Sequence, residues 1–454
     1  MSRWQGGQSL PLMMVFIIAL SSGAFYLFNT GMLLIERIKI TSSADHVAYA
    51  VAIQQARLLN LNAYLNRAAI ANQLAVAQNI SVASWGMFVQ PIPQRASPLL
   101  IPPMTPVGAP IVQISNMVAL GMRPIAESMG AFILQNQLAN VSIKEHQRLL
   151  NTLYYPVLLK DTPATILGAS GLGREGVKFN YVVTSDNFAS FVDRYADAER
   201  MRLQSVMMDS RDPFTAARKR WDEGFGLAKC SKWTPNMPYF EMIKRGGTQL
   251  LGLDEWKGMD TFSLHTYTGY WKSRKLRLPK WVCAHTEYPV GYGSSVTSKN
   301  GGNADSRDVA SFDGSWSANP AGSSASSGSS PLWDSRRGSR AMAPAVPEFY
   351  DLSAEILKKQ EPVLNVVIRL YKAKRELLTT AGRSAVKVGG GLQQFEKMPN
   401  NRMEASSRAV VYFDRPQSHH RNGISREKAS LFNPYWRVRL ESLREVDRAA
   451  LSVP

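Results

Sequence analysis

Six histidines, two cysteines and one glycine-rich run are the places where this chain could do chemistry. The histidines are His46, His146, His265, His285, His419 and His420, and no two of them form an HExxH pair, the spacing that turns two imidazoles toward one metal from a single helical turn. His419 and His420 are adjacent, so they point apart on any regular backbone, and Arg421 and Asn422 beside them suit a solvated loop. Gly168 to Gly173 (GASGLG) has the look of a phosphate loop, but no GK[ST] follows and the spacing is not GxGxxG, so a turn is expected. Ser170 lacks the GxSxG elbow that would expose a nucleophilic hydroxyl. Asp186, Asp193, Asp197 and Glu199 stand at helical spacings beside Arg194, Arg200 and Arg202, a pattern of surface pairing rather than of a general acid and base. The residues therefore point to no catalytic group, no metal site and no cofactor, and the chain reads as a non-enzyme.

Cys230 and Cys283 contain no CxxC and cannot supply the four ligands of a structural zinc. A disulfide between them is the preferred reading, with two buried free thiols as the alternative. Pairing would close a loop of about 50 residues and stabilise the fold by about 4 kcal/mol in the chain-entropy picture, and it would imply an oxidising compartment.

The compartment is set by the element that precedes them. From Leu10 to Ile35 the chain runs 26 residues without a charge, where about 20 helical residues already cross a bilayer core. Arg3 lies before this run and Arg37 and Lys39 after it, so charge counting orients it only weakly. A very short tail with the bulk of the chain behind it favours a cytoplasmic N-terminus and a single-pass protein whose mass lies in the periplasm. Small residues at Ser22, Gly23 and Ala24 also suit signal cleavage, but apolar Phe25, Leu27, Phe28, Met32 and Leu33 would then be left uncovered. The 454 residues carry 53 Lys and Arg against 35 Asp and Glu, a net charge of +18. The excess reads as scattered, with no base-reading helix, so nucleic acid is not an expected partner, whereas anionic lipid and anionic envelope polymers are.

Beyond the membrane run, the helical pattern continues from Glu36 to about Val89, with Ala48, Ala52, Leu59, Ala63, Ile70, Leu74 and Ala77 forming a small-residue stripe. Asn62, Asn66, Arg67, Asn72 and Gln73 lie on the same stretch. At these spacings the amides either pair with a neighbouring helix or form a solvent-facing polar stripe. A cluster from Pro91 to Pro110 makes a connector, and apolar spacing returns from Ile111 to Leu159 around Pro124, as in a core-facing or coiled helix. Val177 to Ser185 reads as a strand, Ser185 or Asp186 to about Met208 as a helix, and Gln249 to Trp281 as a small antiparallel sheet near the cysteines. Residues 291–347, rich in Ser, Gly, Ala, Asn and Pro, bury too little apolar surface to offset ordering entropy and are expected to be poorly ordered. Leu352, Ile356, Val363, Val367 and Leu370 suggest one helical face around Pro362, RAVVYF (Arg408 to Phe413) a strand, and the tail after Asn433 a charged helix. The fold class expected is α+β: a long transmembrane and stalk helix, then a mixed helical and antiparallel-sheet periplasmic region spanning 111–290 and completed by 348–454.

Gly7 to Trp85, with its GQSLPL entry, its SADHVAYA run and its NAYLNRAAIANQ segment, resembles the N-terminal region of TadE/TadG-like proteins of Flp (tight-adherence) pilus assembly in Gram-negative bacteria. A second echo is EKASLFNPYW, from Glu427 to Trp436. The resemblance implies an inner-membrane component of pilus assembly, or a minor pseudopilin-like subunit acting in adhesion, which meets other pilus subunits through its N-terminal helix. It also implies possible processing after Gly6 or Gly7. A pilin carries Glu at the fifth position after the cut, where this chain has Pro11 or Leu12, so a major pilin is not expected. Two other readings compete: a membrane-tethered module that holds anionic polysaccharide, and a membrane-bound hydrolase.

Overall fold

The computed structural model describes residues 9–452 except 101, 103–104, 170–179, 217, 276, 298–318, 329–344, 388–400 and 415–427. It is a mixture of helix and antiparallel sheet, opened by one unbroken helix, α1, from Ser9 to Val89. Ten strands follow among the described residues: β1 Asn180–Asp186, β2 Val192–Tyr195, β3 Arg218–Phe225, β4 Pro238–Leu251, β5 Glu255–Arg274, β6 Arg277–Val296, β7 Phe349–Leu352, β8 Val363–Ala373, β9 Arg402–Phe413 and β10 Trp436–Glu441. The chain divides into two compact units, one of residues 1–64, 147–194 and 350–454, the other of residues 65–146 and 195–349.

The first unit is an antiparallel sheet in the order β1-β8-β9-β10 with α1 laid on one face. Alternation decides which face. Leu364, Val366, Ile368 and Leu370 of β8 and Ala409 and Val411 of β9 are buried with Ala44, Val47, Ala48, Val51 and Ala52 of α1. The small residues of α1 bring its backbone close to the sheet, so the stripe read from sequence does pack, but here on strands. Helix Tyr155–Ala169 adds Tyr155 and Leu167 to the same core.

The second unit is an antiparallel sheet in the order β3-β4-β5-β6. Its β5–β6 hairpin pairs from Lys257 opposite Val296 to Arg274 opposite Arg277. One face of this sheet takes the end of α1, and glycine makes the approach possible. A Cβ on Gly293 would meet the Phe88 nitrogen and the Ser84 carbonyl oxygen, both at 2.4 Å, and one on Gly258 would meet Ile80 Cγ2 at 3.0 Å. Ser84 then donates to Asp260 Oδ2 at 2.8 Å, and Ser81 and Thr248 share a hydrogen bond of 2.7 Å. Phe88, Ile92, Leu99, Phe240, Met242, Phe262, Leu264 and Val290 fill the apolar part of the core.

Four expectations need correction. The segment from Ser185 to Met208 is not one helix but a turn of helix (Phe188–Phe191), strand β2, a 3-10 turn and helix Met201–Asp209. Val363 to Leu370 is strand: it is rich in β-branched residues, Pro362 precedes it, and it pairs with β1 and β9, so the five-residue helical face is a coincidence of spacing. The stretch after Asn433 begins as β10 before a short helix, Glu445–Ser452. Within the Ser- and Gly-rich segment, β6 runs on to Val296, and Pro320–Gly328 is a helix whose Ser323 and Ser326 are buried. Small side chains let this helix seat closely on β5, where a Cβ on Gly322 would lie 3.0 Å from Thr261 Cβ.

Candidate functional site

The decisive geometry lies along α1. From Leu10 to Phe28 its apolar side chains are largely uncovered, Leu12 at 73% and Leu27 at 71% exposure with Phe25 half-buried, and the helix is long and apolar enough to cross a bilayer. At Asn29 the environment changes. Asn29 is 4% exposed, and its amide donates to Thr380 Oγ1 at 2.8 Å while its Oδ1 accepts the Thr380 N–H at 3.1 Å. One further turn pair along, Glu36 Oε2 meets Lys372 Nζ at 2.8 Å, and both side chains are almost completely buried. Ile40, Ala44 and Val47 continue the buried face into the core of the first unit. From Asn29 the folded unit thus grips one face of α1, while Leu34 and Ile35 at the end of the charge-free run remain exposed.

Among the five residues read as a helix-contact stripe, Asn62 and Gln73 have partners within the chain itself. Asn62 exchanges amide hydrogen bonds with Asn151 at 3.0 and 3.1 Å, on the π-helical turn Leu150–Tyr154. Gln73 accepts from Trp256 Nε1 at 3.3 Å. Asn66 is buried, Asn72 half-buried and Arg67 exposed. The more consequential amide was passed over in the sequence. Asn60 donates to the Trp436 carbonyl at 3.1 Å and accepts the Trp436 N–H at 3.0 Å. Nothing but its place two residues before Asn62 and one turn before Tyr64 signals it. Trp436 is itself buried against Phe191 and Phe413. The stretches Gly7–Trp85 and Glu427–Trp436, 376 residues apart at this contact, therefore meet in one core.

Cys230 and Cys283 form a disulfide that ties the loop between β3 and β4 to β6. Gly6, Gly7, Ser170, His419 and His420 lie outside the described residues, and Gly168 lies in the last turn of helix Tyr155–Ala169 rather than in a loop. Two titratable clusters are well formed. In the first unit Tyr155 donates to Asp186 Oδ1 at 2.6 Å and Gln55 Nε2 to the Tyr155 oxygen at 2.8 Å; burial raises the Asp186 carboxyl and the Tyr155 hydroxyl above their ordinary ranges, the latter helped by the Asp186 charge. In the second unit the His265 and His285 rings stack with Nδ1 and Nε2 2.8 Å apart, and Glu287 accepts from Ser263 and from the N–H groups of Ala321 and Gly322 at the start of a helix. Burial pushes His265 below its ordinary range, with the neighbouring His285 adding to the effect and Glu287 opposing it. Among the described residues no group of three His, Cys, Asp or Glu side chains is placed to hold a metal ion. No protein-family model, curated protein or solved structure matches the chain.

Proposed function

We propose that the chain is a single-pass envelope protein that serves Flp-type pilus assembly, as an accessory component or a minor pilin-like subunit in adhesion. It acts by binding partners, without catalysing a reaction. The observation that supports the membrane part is the run of largely exposed apolar side chains over Leu10–Phe28; from Asn29 onward one face of the helix is buried against protein, while Leu34, Ile35 and Ile38 stay exposed. Nineteen helical residues rise about 28 Å, close to the roughly 30 Å of a bilayer core. Water would not tolerate such a stretch, whereas lipid requires it.

The pilus part is supported by the resemblance and by the way its two segments interlock through Asn60 and Trp436. A motif split across the chain that folds into one core is more informative than either half. The periplasmic placement is supported by the disulfide, which an oxidising compartment sustains. The test is genetic and biochemical. Deleting the gene should reduce surface filaments and attachment, and the full-length protein should resist carbonate extraction from membranes. Wild-type filaments and attachment in the deletion strain would refute the pilus role; release by carbonate would refute the anchor.

A further inference from the structure

The sequence shows positive charge spread along the chain, but the hairpin register of the second unit concentrates part of it. The loop 226–237 and the hairpin end 269–283 contain seven Lys and Arg and not one Asp or Glu. Three ties hold the two segments together: the Cys230–Cys283 disulfide, Trp281 Nε1 donating to the Cys230 carbonyl at 3.3 Å, and the Asn236 N–H donating to the Gly269 carbonyl at 2.8 Å. Cys230 and Asn236 sit at φ 51° and 64°, a region non-glycine residues enter at a cost, so the loop is held in one shape rather than left to choose.

At this end Lys272 faces Lys280 directly across the ladder, an arrangement that like charges disfavour. Lys232, Lys272, Lys275 and Lys280 are all exposed, and none makes an ion pair among the described residues, whereas Lys229 pairs with Glu241 at 2.8 Å. Apolar side chains stand among these cations. Trp233 is 94% exposed, Leu278 88% and Trp271 53%. Scattered exposed hydrophobic residues need no explanation, but two tryptophans and a leucine on a pinned, wholly basic end form a patch with two chemistries at once.

We infer that this end of the second unit docks on an anionic phospholipid surface, with the lysines meeting headgroup phosphates and Trp233, Trp271 and Leu278 entering the interfacial layer. Tryptophan is suited to the headgroup boundary and lysine to the negative surface potential, and leucine adds burial that only an acyl region supplies. An anionic polysaccharide would use the lysines and stack on the indoles, but it offers nothing to Leu278. The inference goes beyond pilus assembly and does not depend on it.

The test uses the full-length protein held through its N-terminal helix in neutral phosphatidylcholine nanodiscs, with a fluorophore on Ser273→Cys, the single free thiol of that variant. Added vesicles of phosphatidylcholine with an equal part of phosphatidylglycerol should capture the protein and shift the emission to the blue, and pure phosphatidylcholine vesicles should do neither. Replacing Lys232, Lys272, Lys275 and Lys280 together by Gln should weaken vesicle capture by at least about a hundredfold. Trp233→Ser with Leu278→Ser should weaken it by about tenfold or more. All six positions are exposed, so neither variant disturbs the core. Absence of capture by the parent, or capture unchanged in both variants, overturns the inference. So does binding to soluble polygalacturonate that equals vesicle binding and is indifferent to the Trp233 and Leu278 replacements, which would assign the surface to polysaccharide.

Discussion

At the scale of single residues, the buried Glu36–Lys372 pair is the contact with the most at stake. Two ions removed from water attract strongly at 2.8 Å, yet much of that attraction offsets their lost hydration. Removing Lys372 leaves the buried Glu36 without its ion-pair partner. Lys372→Met is therefore expected to destabilise the first unit by about 3–5 kcal/mol, and Glu36→Leu combined with Lys372→Met to recover most of the loss. Thermal unfolding of the full chain in nanodiscs would show it; a single variant that melts with the parent would mean the pair is not buried as described. His265 gives a second residue-level expectation with a defined sign. Its folded value is lowered, by burial first, so between that value and the unfolded value near 6.5 the unfolded chain binds a proton that the folded one does not. The associated stability is present above about pH 6.5 and is lost as pH falls through it, at no more than about 1.4 kcal/mol per pH unit. The groups that set this are His285, Glu287, Glu241 and Asn319. His265→Gln should flatten the decline in melting temperature between neutral and acid pH, and an identical slope in both proteins would exclude His265 as its source.

The elements show where sequence was readable and where it was not. The long helix was legible because Ala48, Ala52, Leu59 and Ala63 keep one face small over many turns, and all four are fully buried. The strand reading near the cysteines was also sound, since FSLHTYTGYW alternates, although β4 begins earlier and β6 ends later than its bounds. Val363 to Leu370 misleads because strand and helix templates share some positions, and the sheet partners β1 and β9 decide between them. No local signal marks Lys372 as the partner of Glu36, or Thr380 as that of Asn29, because both pairings span more than three hundred residues. Glycines test the packing of α1 directly. Gly293→Ala must push backbone atoms of α1 at Ser84 and Phe88, and it should cost about 1–3 kcal/mol or more. Gly121, inside helix Thr105–Leu149, has nothing within 4 Å of its would-be Cβ, so Gly121→Ala should instead stabilise by about 0.5–1 kcal/mol. A pair of melting curves that move together, both down or both up, would contradict this account of α1 seated against β6.

For the whole molecule, the proposed membrane span would leave two orientations for α1. Arg3 on one side and Arg37 and Lys39 on the other give little bias, and Glu36 is occupied by Lys372. What separates the two orientations is the fate of the cysteines. In a reducing cytosol Cys230 and Cys283 would be kept as thiols, and the loop bearing Trp233 would lose its covalent tie to β6. In the periplasm the tie persists and narrows the unfolded ensemble by closing a long loop, worth about 4 kcal/mol. A C-terminal alkaline phosphatase fusion is thus expected to be active and a fluorescent-protein fusion at the same site dark, while Cys230 and Cys283 in intact cells should react with a maleimide only after reduction. The two readouts rest on different physics, translocation in one and redox poise in the other, so they can disagree. Active phosphatase with freely reacting thiols would place the bulk outside the cytoplasm but deny the disulfide its role there. An inactive fusion with free thiols would turn the chain around and remove the periplasmic pilus reading with it.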